Sequence, residues 1–119
     1  MHHIALGLEG ENLAVNHLIK EGYEIVERNY TWKRGELDII CRKDGKLVVV
    51  EVKTRNSAAL GQPFLAVSLA KQRQIIHITN QYIREKQVTE EVRFDIFSII
   101  LNDQKVSVNH IIDAFYPLV

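Results

Sequence analysis

Apolar residues recur at helical spacing at Leu8, Val15, Leu18 and Ile19, and Gly22 follows them as a stop, which predicts a helix over 7–21. Glu11 falls near the middle of that apolar stripe. From Tyr23 to Trp32 the pattern becomes that of a strand, with Tyr23, Ile25 and Glu27 on one face and Arg28, Asn29, Tyr30 and Trp32 towards its far end. The stretch from Gly35 to Arg55 is the most informative. Asp44-Gly45 tolerates positive φ at both centres of a two-residue turn and predicts a type I′ hairpin. Lys43 then faces Lys46, Ile40 faces Val49, Asp38 faces Glu51 and Glu36 faces Lys53. Alternation places Glu36, Asp38, Ile40, Val49, Glu51 and Lys53 on one face, and Leu37, Ile39, Cys41, Val48, Val50 and Val52 on a wholly apolar one.

A loop of small residues follows over 56–63, with Gly61 and Pro63, in a position to clamp a substrate or to do nothing. The helical period returns over 66–86, with Leu69, Gln72, Ile75, Ile76, Thr79, Tyr82 and Ile83 on one stripe. Residues 92–102 read as an apolar strand containing Asp95, which calls for a nearby cation; Arg93 is read as too adjacent to face it. Asn102-Asp103 turns the chain into a short strand over 105–108, and 110–116 reads as an apolar tail. A helix, three strands, a helix and further strands, with neither repeats nor linkers, predict one α/β domain over 1–119, a mixed β-sheet flanked by α-helices.

Composition adds exclusions. Fifteen basic residues balance fifteen acidic ones, which argues against a protein that coats DNA through bulk charge while leaving room for a local basic patch. The lone Cys41 has no partner for an internal disulfide and suits a reducing cytoplasm as core filler. No apolar run approaches the roughly 18 residues a membrane span needs, and no signal peptide is visible. His2-His3 supports neither a metal site nor a cloning remnant.

The opposed acids carry the chemistry. Directly opposed residues hold their Cβ atoms roughly 4.5–5.5 Å apart, so the like charges of Asp38 and Glu51 destabilise each other beside apolar strands. A bound divalent cation offsets that cost, and so does a raised pKa that neutralises one acid. The bland alternative is a solvated salt-bridge cluster including Lys53. The basic turn Lys33-Arg34 and the cations Lys71 and Arg73 on the second helix are candidates for phosphate contact, with plain solubility as the alternative. For Tyr30 and Trp32 the choice lies between a packing cluster and base stacking.

Asp38, twelve intervening residues, Glu51, one residue and Lys53 together resemble the PD-(D/E)xK nuclease signature. The wider string resembles the YraN-like family of bacterial proteins, related to archaeal-type Holliday junction resolvases. It runs through Gly7, Gly10-Glu11, Ala14, Arg28-Asn29, Gly35-Glu36-Leu37-Asp38 and Val50-Glu51-Val52-Lys53-Thr54-Arg55. It continues with Gly61-Gln62-Pro63, Ala66-Val67, Lys71, Arg93-Phe94-Asp95 and His110-Ile111. Leu37 departs from the signature proline, as YraN-like proteins tend to do there. The resemblance implies a restriction-endonuclease-like fold and metal-dependent hydrolysis of DNA, including branched or repair intermediates. By the same resemblance Asp38 and Glu51 hold Mg2+ or Mn2+, with the Val52 carbonyl as a further ligand and Glu11 as a first-helix acid near the metal. Lys53 then orients or deprotonates the attacking water, and Arg28, Lys33, Arg34, Arg55, Lys71 and Arg73 make up the nucleic-acid-binding set. A weak homodimer through the apolar 110–116 segment follows by analogy with dimeric resolvases. Two other functions fit the same residues: a catalytically silent DNA- or junction-binding module, and a protein-interaction module docking through the tail.

Overall fold

The computed structural model describes residues 2–56 and 67–117, with side chains from Gly7 onward. The elements are α1 (His2–Lys20), β1 (Glu24–Trp32), β2 (Gly35–Lys43), β3 (Lys46–Arg55), α2 (Leu69–Lys86), β4 (Glu91–Leu101) and β5 (Val106–Phe115). Gly22, at φ 89°, ends α1. The Tyr23 N–H donates to the Leu18 carbonyl at 2.9 Å and the Gly22 N–H to that of Ile19 at 3.0 Å, which satisfies the last carbonyls of the helix. Asp44 at φ 51° and Gly45 at φ 77° form the left-handed pair that the hairpin turn requires. At the other helix, Ser68 caps α2 by accepting the Lys71 N–H, and Gln87 ends it in a left-handed conformation.

The five strands lie in the order β1-β2-β3-β4-β5. β1–β2, β2–β3 and β4–β5 are antiparallel, whereas β3 and β4 run parallel from Lys46↔Glu91 to Arg55↔Ile100. Parallel neighbours need a crossover, and α2 lies within the one that joins β3 to β4. The result is a mixed α/β sheet compatible with the restriction-endonuclease-like architecture.

Both sheet faces are covered. Val48, Val50, Phe97 and Ile99 meet Ala14, Val15 and Leu18 of α1. Leu47, Val49, Phe94 and Ile96 meet Ile75, Ile78 and Tyr82 of α2. This alternation is why β3 reads as an unbroken apolar run, being buried on both sides. Phe97 is fully buried, and truncating such a side chain to Ala costs about 3–5 kcal/mol. No helix among the described residues is long and apolar enough to cross a membrane.

The sequence reading needs five corrections. On α1, Leu8 and Ile19 of the predicted stripe are exposed, and only Val15 and Leu18 are buried. Leu37 packs on the α2 side with Ile40 and Val49, not on the α1 side with Ile39, so alternation breaks at Asp38. On α2, Leu69 is exposed and Ile78 is buried, which rotates the buried stripe from the predicted one. The apolar tail is not a tail: Val106–Phe115 is a single edge strand paired to β4. Finally, Arg93 does face Asp95, because residues two apart share one side of a strand. Its Nε donates to Asp95 Oδ1 at 2.9 Å and its Nη2 to Oδ2 at 2.8 Å. His110 Nε2 at 2.7 Å and the Asp113 N–H at 3.0 Å complete the shell of this fully buried carboxylate. Burial alone would raise the Asp95 pKa, but the hydrogen bonds from His110, Arg93 and Asp113 outweigh it and hold the pKa low. The predicted loop falls almost wholly on 57–66, outside the described residues, as do the side chains of His2 and His3.

Candidate functional site

The hairpin brings the two acids together by failing to continue as a regular ladder. Pairing of β2 with β3 runs from Lys43↔Lys46 to Ile39↔Val50 and stops there. Beyond it, Asp38 Oδ2 accepts the Val52 N–H at 2.8 Å, so a carboxylate stands where a ladder carbonyl would otherwise be. The Asp38 and Glu51 side chains hydrogen-bond to each other, and Glu51 is only 9% exposed. Burial pushes the Glu51 carboxyl up to about 8, and the Asp38 charge pushes the same way; Lys71 and Lys53 pull against both. Burial also raises Asp38, opposed by the Val52 N–H and by its bond to Glu51. Two carboxyls in contact cannot both ionise cheaply, so at neutral pH the pair shares one proton. Glu51 holds it and donates to Asp38.

Asp38 opens onto a cavity of about 370 Å3 together with Glu11, Glu36, Val52 and Lys53. Its α1 wall depends on Gly10, where a methyl group would overlap the Thr54 side chain; the glycine lets the helix lie flush on β3 and brings Glu11 to the cavity. Glu11 therefore lines the same cavity as Asp38, but its direct partners are other residues. Arg28 Nε donates to Glu11 Oε1 at 3.0 Å and Asn29 Nδ2 donates to it at 3.1 Å. A second Arg28 nitrogen donates to Asn12 Oδ1 at 2.8 Å. This half-buried acid is thus satisfied by a cation. Burial, with the charges of Asp38 and Glu11, raises the Glu36 pKa, and Lys71 opposes this.

Among the described residues no group of three or more His, Cys, Asp or Glu side chains is arranged to hold a metal ion. A dedicated all-protein cage is thus not what this site offers. Mg2+ does not ask for one, since it binds through one or two carboxylates and completes its shell with water and substrate phosphate. Asp38 and Glu51 fit that requirement, and a dication would replace the shared proton between them.

The predicted cations separate into four environments. Lys33, Arg34 and Lys71 line a second cavity of about 350 Å3, with Thr31, Glu36 and Gln74. Lys71 Nζ also lies 3.9 Å from Glu51 Oε2. Arg73 belongs to a different hollow, beside His77, Asn80 and Tyr116. Arg28 is held by Glu11 and Asn12. Arg55, at the end of β3, is 8% exposed and so presents little surface to a nucleic acid. Trp32 lies between Lys33, 4.6 Å over its ring, and His77, while Tyr30 packs edge-on against Tyr82, so both are packing residues. The Lys71–Glu51 contact has no local sequence signal. Gly10 does, since a mid-helix glycine costs about 1 kcal/mol against alanine and calls for a packing reason.

A model of the uncharacterised protein family UPF0102 matches residues 10–99. The chain belongs to that family. A UPF0102 protein of Flavobacterium johnsoniae is 47% identical over 118 residues, covering 96% of each chain. Another, from Syntrophomonas wolfei, is 44% identical over 111 residues, covering 92% of this chain and 96% of that one. One from Geobacter metallireducens is 41% identical over 116 residues, or 97% and 95% of the two chains. The matched UPF0102 region contains Glu11, Glu36, Asp38, Glu51, Lys53 and Lys71, and so spans both cavities.

Proposed function

We propose that this UPF0102 protein is a metal-dependent endonuclease-like protein that hydrolyses phosphodiester bonds in cytoplasmic DNA, with branched or repair intermediates among its substrates. The observation that carries the reading is the Asp38–Glu51 pair at the open end of the hairpin, with Glu51 buried and half-buried Asp38 held by the Val52 N–H. Holding two acids against each other in a core costs stability, and a site for a hard cation explains the expense. Asp38 and Glu51 would hold Mg2+ or Mn2+, with the Val52 carbonyl beside them. Bound there, the cation supplies Lewis acidity against the charge that develops on the phosphate. The Val52 N–H orients Asp38. Lys53, exposed on the same cavity, is placed to orient the attacking water and to hold or release its proton. Arg28 fixes Glu11 on the α1 side of the same cavity.

A second reading, a catalytically silent DNA-binding module on the same fold, draws on the two-acid set, which is smaller than a full protein cage. A cleavage assay over linear, flapped, gapped and four-way DNA with Mg2+ and with Mn2+ separates the two. Cleavage by the wild type and none by Asp38→Asn supports the nuclease. Retarded DNA in EDTA with no cleavage in either metal supports the silent module. Self-association through β5 is weak on this reading, because Phe115 is spent in the core while Ile112 and Tyr116 stay exposed.

A further inference from the structure

The cavity between the β1–β2 turn and the first turns of α2 has a charge arrangement the acid pair does not explain. Lys33 and Arg34 come from the turn, and Lys71 and Gln74 from the helix. Folding gathers them by a specific device. Lys33 adopts a left-handed conformation at φ 56°, and Trp32↔Gly35 closes the turn. A methyl group at Gly35 would overlap the Ile78 side chain, so its absence lets the turn rest directly on α2. Three cations then share one concave surface with a single carboxylate, Glu36.

Several cations elsewhere in the molecule are neutralised. Arg42 bonds to Glu90, Lys46 lies near Glu91, Arg28 is bound to Glu11 and Arg93 to Asp95. Among the described residues neither Lys33 nor Arg34 forms an ion pair. Positive charges concentrated in a hollow raise the local potential and draw an anion into it. The anion's neighbourhood is equally specific. Glu36 lines both this cavity and that of Asp38, and Lys71 reaches to within 3.9 Å of Glu51, so the two hollows adjoin.

We propose that the Lys33–Arg34–Lys71 hollow is a phosphate subsite that holds the backbone phosphodiester neighbouring the one presented to Asp38 and Glu51. The inference rests on the reading of the acid pair as a nucleic-acid site and adds where the next phosphate lies. Arg34 offers a planar fork for two phosphate oxygens, and the lysines act as point charges. Contacts of this kind set register on the strand and read no base. Lys71 is the shared element, facing Glu51 from one side and the phosphate from the other.

The test is binding of a short labelled single-stranded oligodeoxynucleotide to the full chain in EDTA, followed by anisotropy across a salt series. The intrinsic fluorescence of Trp32, the only tryptophan and the neighbour of Lys33, serves as a local reporter. Each lost phosphate contact on a single strand lowers the slope of log K against log salt by about 0.7. Arg34→Gln is expected to lose about that much, and Lys33→Asn with Arg34→Gln about 1.4. Lys86→Gln, at the far end of α2, is expected to leave the slope unchanged. Absence of binding by the wild type, an unchanged slope in the double variant, or an equal fall in Lys86→Gln overturns the subsite. Because no metal is present, the result is independent of catalysis. A protein that cuts DNA yet keeps its slope in the double variant retains the nuclease and loses the subsite; one that never cuts but loses slope retains the subsite alone.

Discussion

Replacing Glu51 by glutamine should stabilise the protein at alkaline pH and leave it unchanged in mild acid. In the fold the Glu51 carboxyl stays protonated up to about pH 8, because burial and the Asp38 charge disfavour its anion, against an ordinary value of 4.5. Between those limits the folded state binds a proton that the unfolded chain has released. The free energy of unfolding therefore falls as pH rises through this window and levels off above the folded pKa. At about 1.4 kcal/mol per pH unit the whole interval amounts to about 5 kcal/mol as a ceiling, which relaxation and water entry reduce. Burial raises Asp38 as well, so its contribution has the same sign. A glutamine amide donates to Asp38 as the protonated acid does, but it does not titrate. Urea unfolding in EDTA at pH values from 5 to 9 should give wild type and Glu51→Gln equal stability at the acid end. The variant should be ahead by about 2–5 kcal/mol at the alkaline end. Titrating groups other than Asp38, which is coupled to Glu51, are common to both proteins and cancel in the difference. Parallel profiles would show that Glu51 is ionised in the fold at neutral pH, and the argument from a costly acid pair would fail with it.

Lys53→Ala is expected to abolish cleavage while calorimetric affinity for Mn2+ stays close to wild type, since Lys53 lines the cavity without being a ligand; loss of both would make it a structural ion pair. Gly10→Ala should lower stability by about 1–3 kcal/mol through overlap with Thr54, read as a fall in thermal midpoint, and an unchanged midpoint would mean the helix lifts freely. Asp95→Asn leaves Arg93 and His110 facing a neutral group in a closed site and should cost about 3–5 kcal/mol in urea unfolding; a loss under 1 kcal/mol would show that the network contributes little.

The parts of the fold legible in the sequence are those set by local chemistry. Asp44-Gly45 selects a turn, the turn selects a register, and the register carries correctly as far as Ile39↔Val50. The end of that ladder was not legible, because it depends on Asp38 taking the Val52 N–H in place of a carbonyl. Asn29 on the adjoining strand sits at φ 55°, another local departure that no alternation rule anticipates. β5 was hidden for a different reason. As an edge strand it exposes Val106, Val108 and Ile112 while burying Phe115, so its pattern resembles an apolar tail. Glu11 was legible as an acid on an otherwise apolar helix stripe, but its pairing with Arg28 required the packing of α1 on β1. Lys71 and Glu51 lie on opposite sides of a crossover, and only the folded crossover brings them together.

The zero net charge has to be interpreted through that geometry. A chain with fifteen cations and fifteen anions has no bulk field to attract a polyanion, yet the sheet sorts its charges along its length. At the hairpin-turn end Arg42 and Lys46 face three carboxylates, Glu24, Glu90 and Glu91, which leave no excess of positive charge there. At the other end two carboxyls share one proton, which removes a negative charge, while Lys33 and Arg34 carry no ion pair among the described residues. Protonation of the acid pair and the unneutralised turn thus act in the same direction, leaving one end of the sheet locally positive in a neutral molecule. On the proposed reading, a phosphate backbone is drawn to that end by the cationic hollow. Screening over about 8–10 Å in physiological salt confines the attraction to that surface. On the proposed reading, affinity for nucleic acid should accordingly be local, modest and steeply salt-dependent, resting on backbone rather than base contacts.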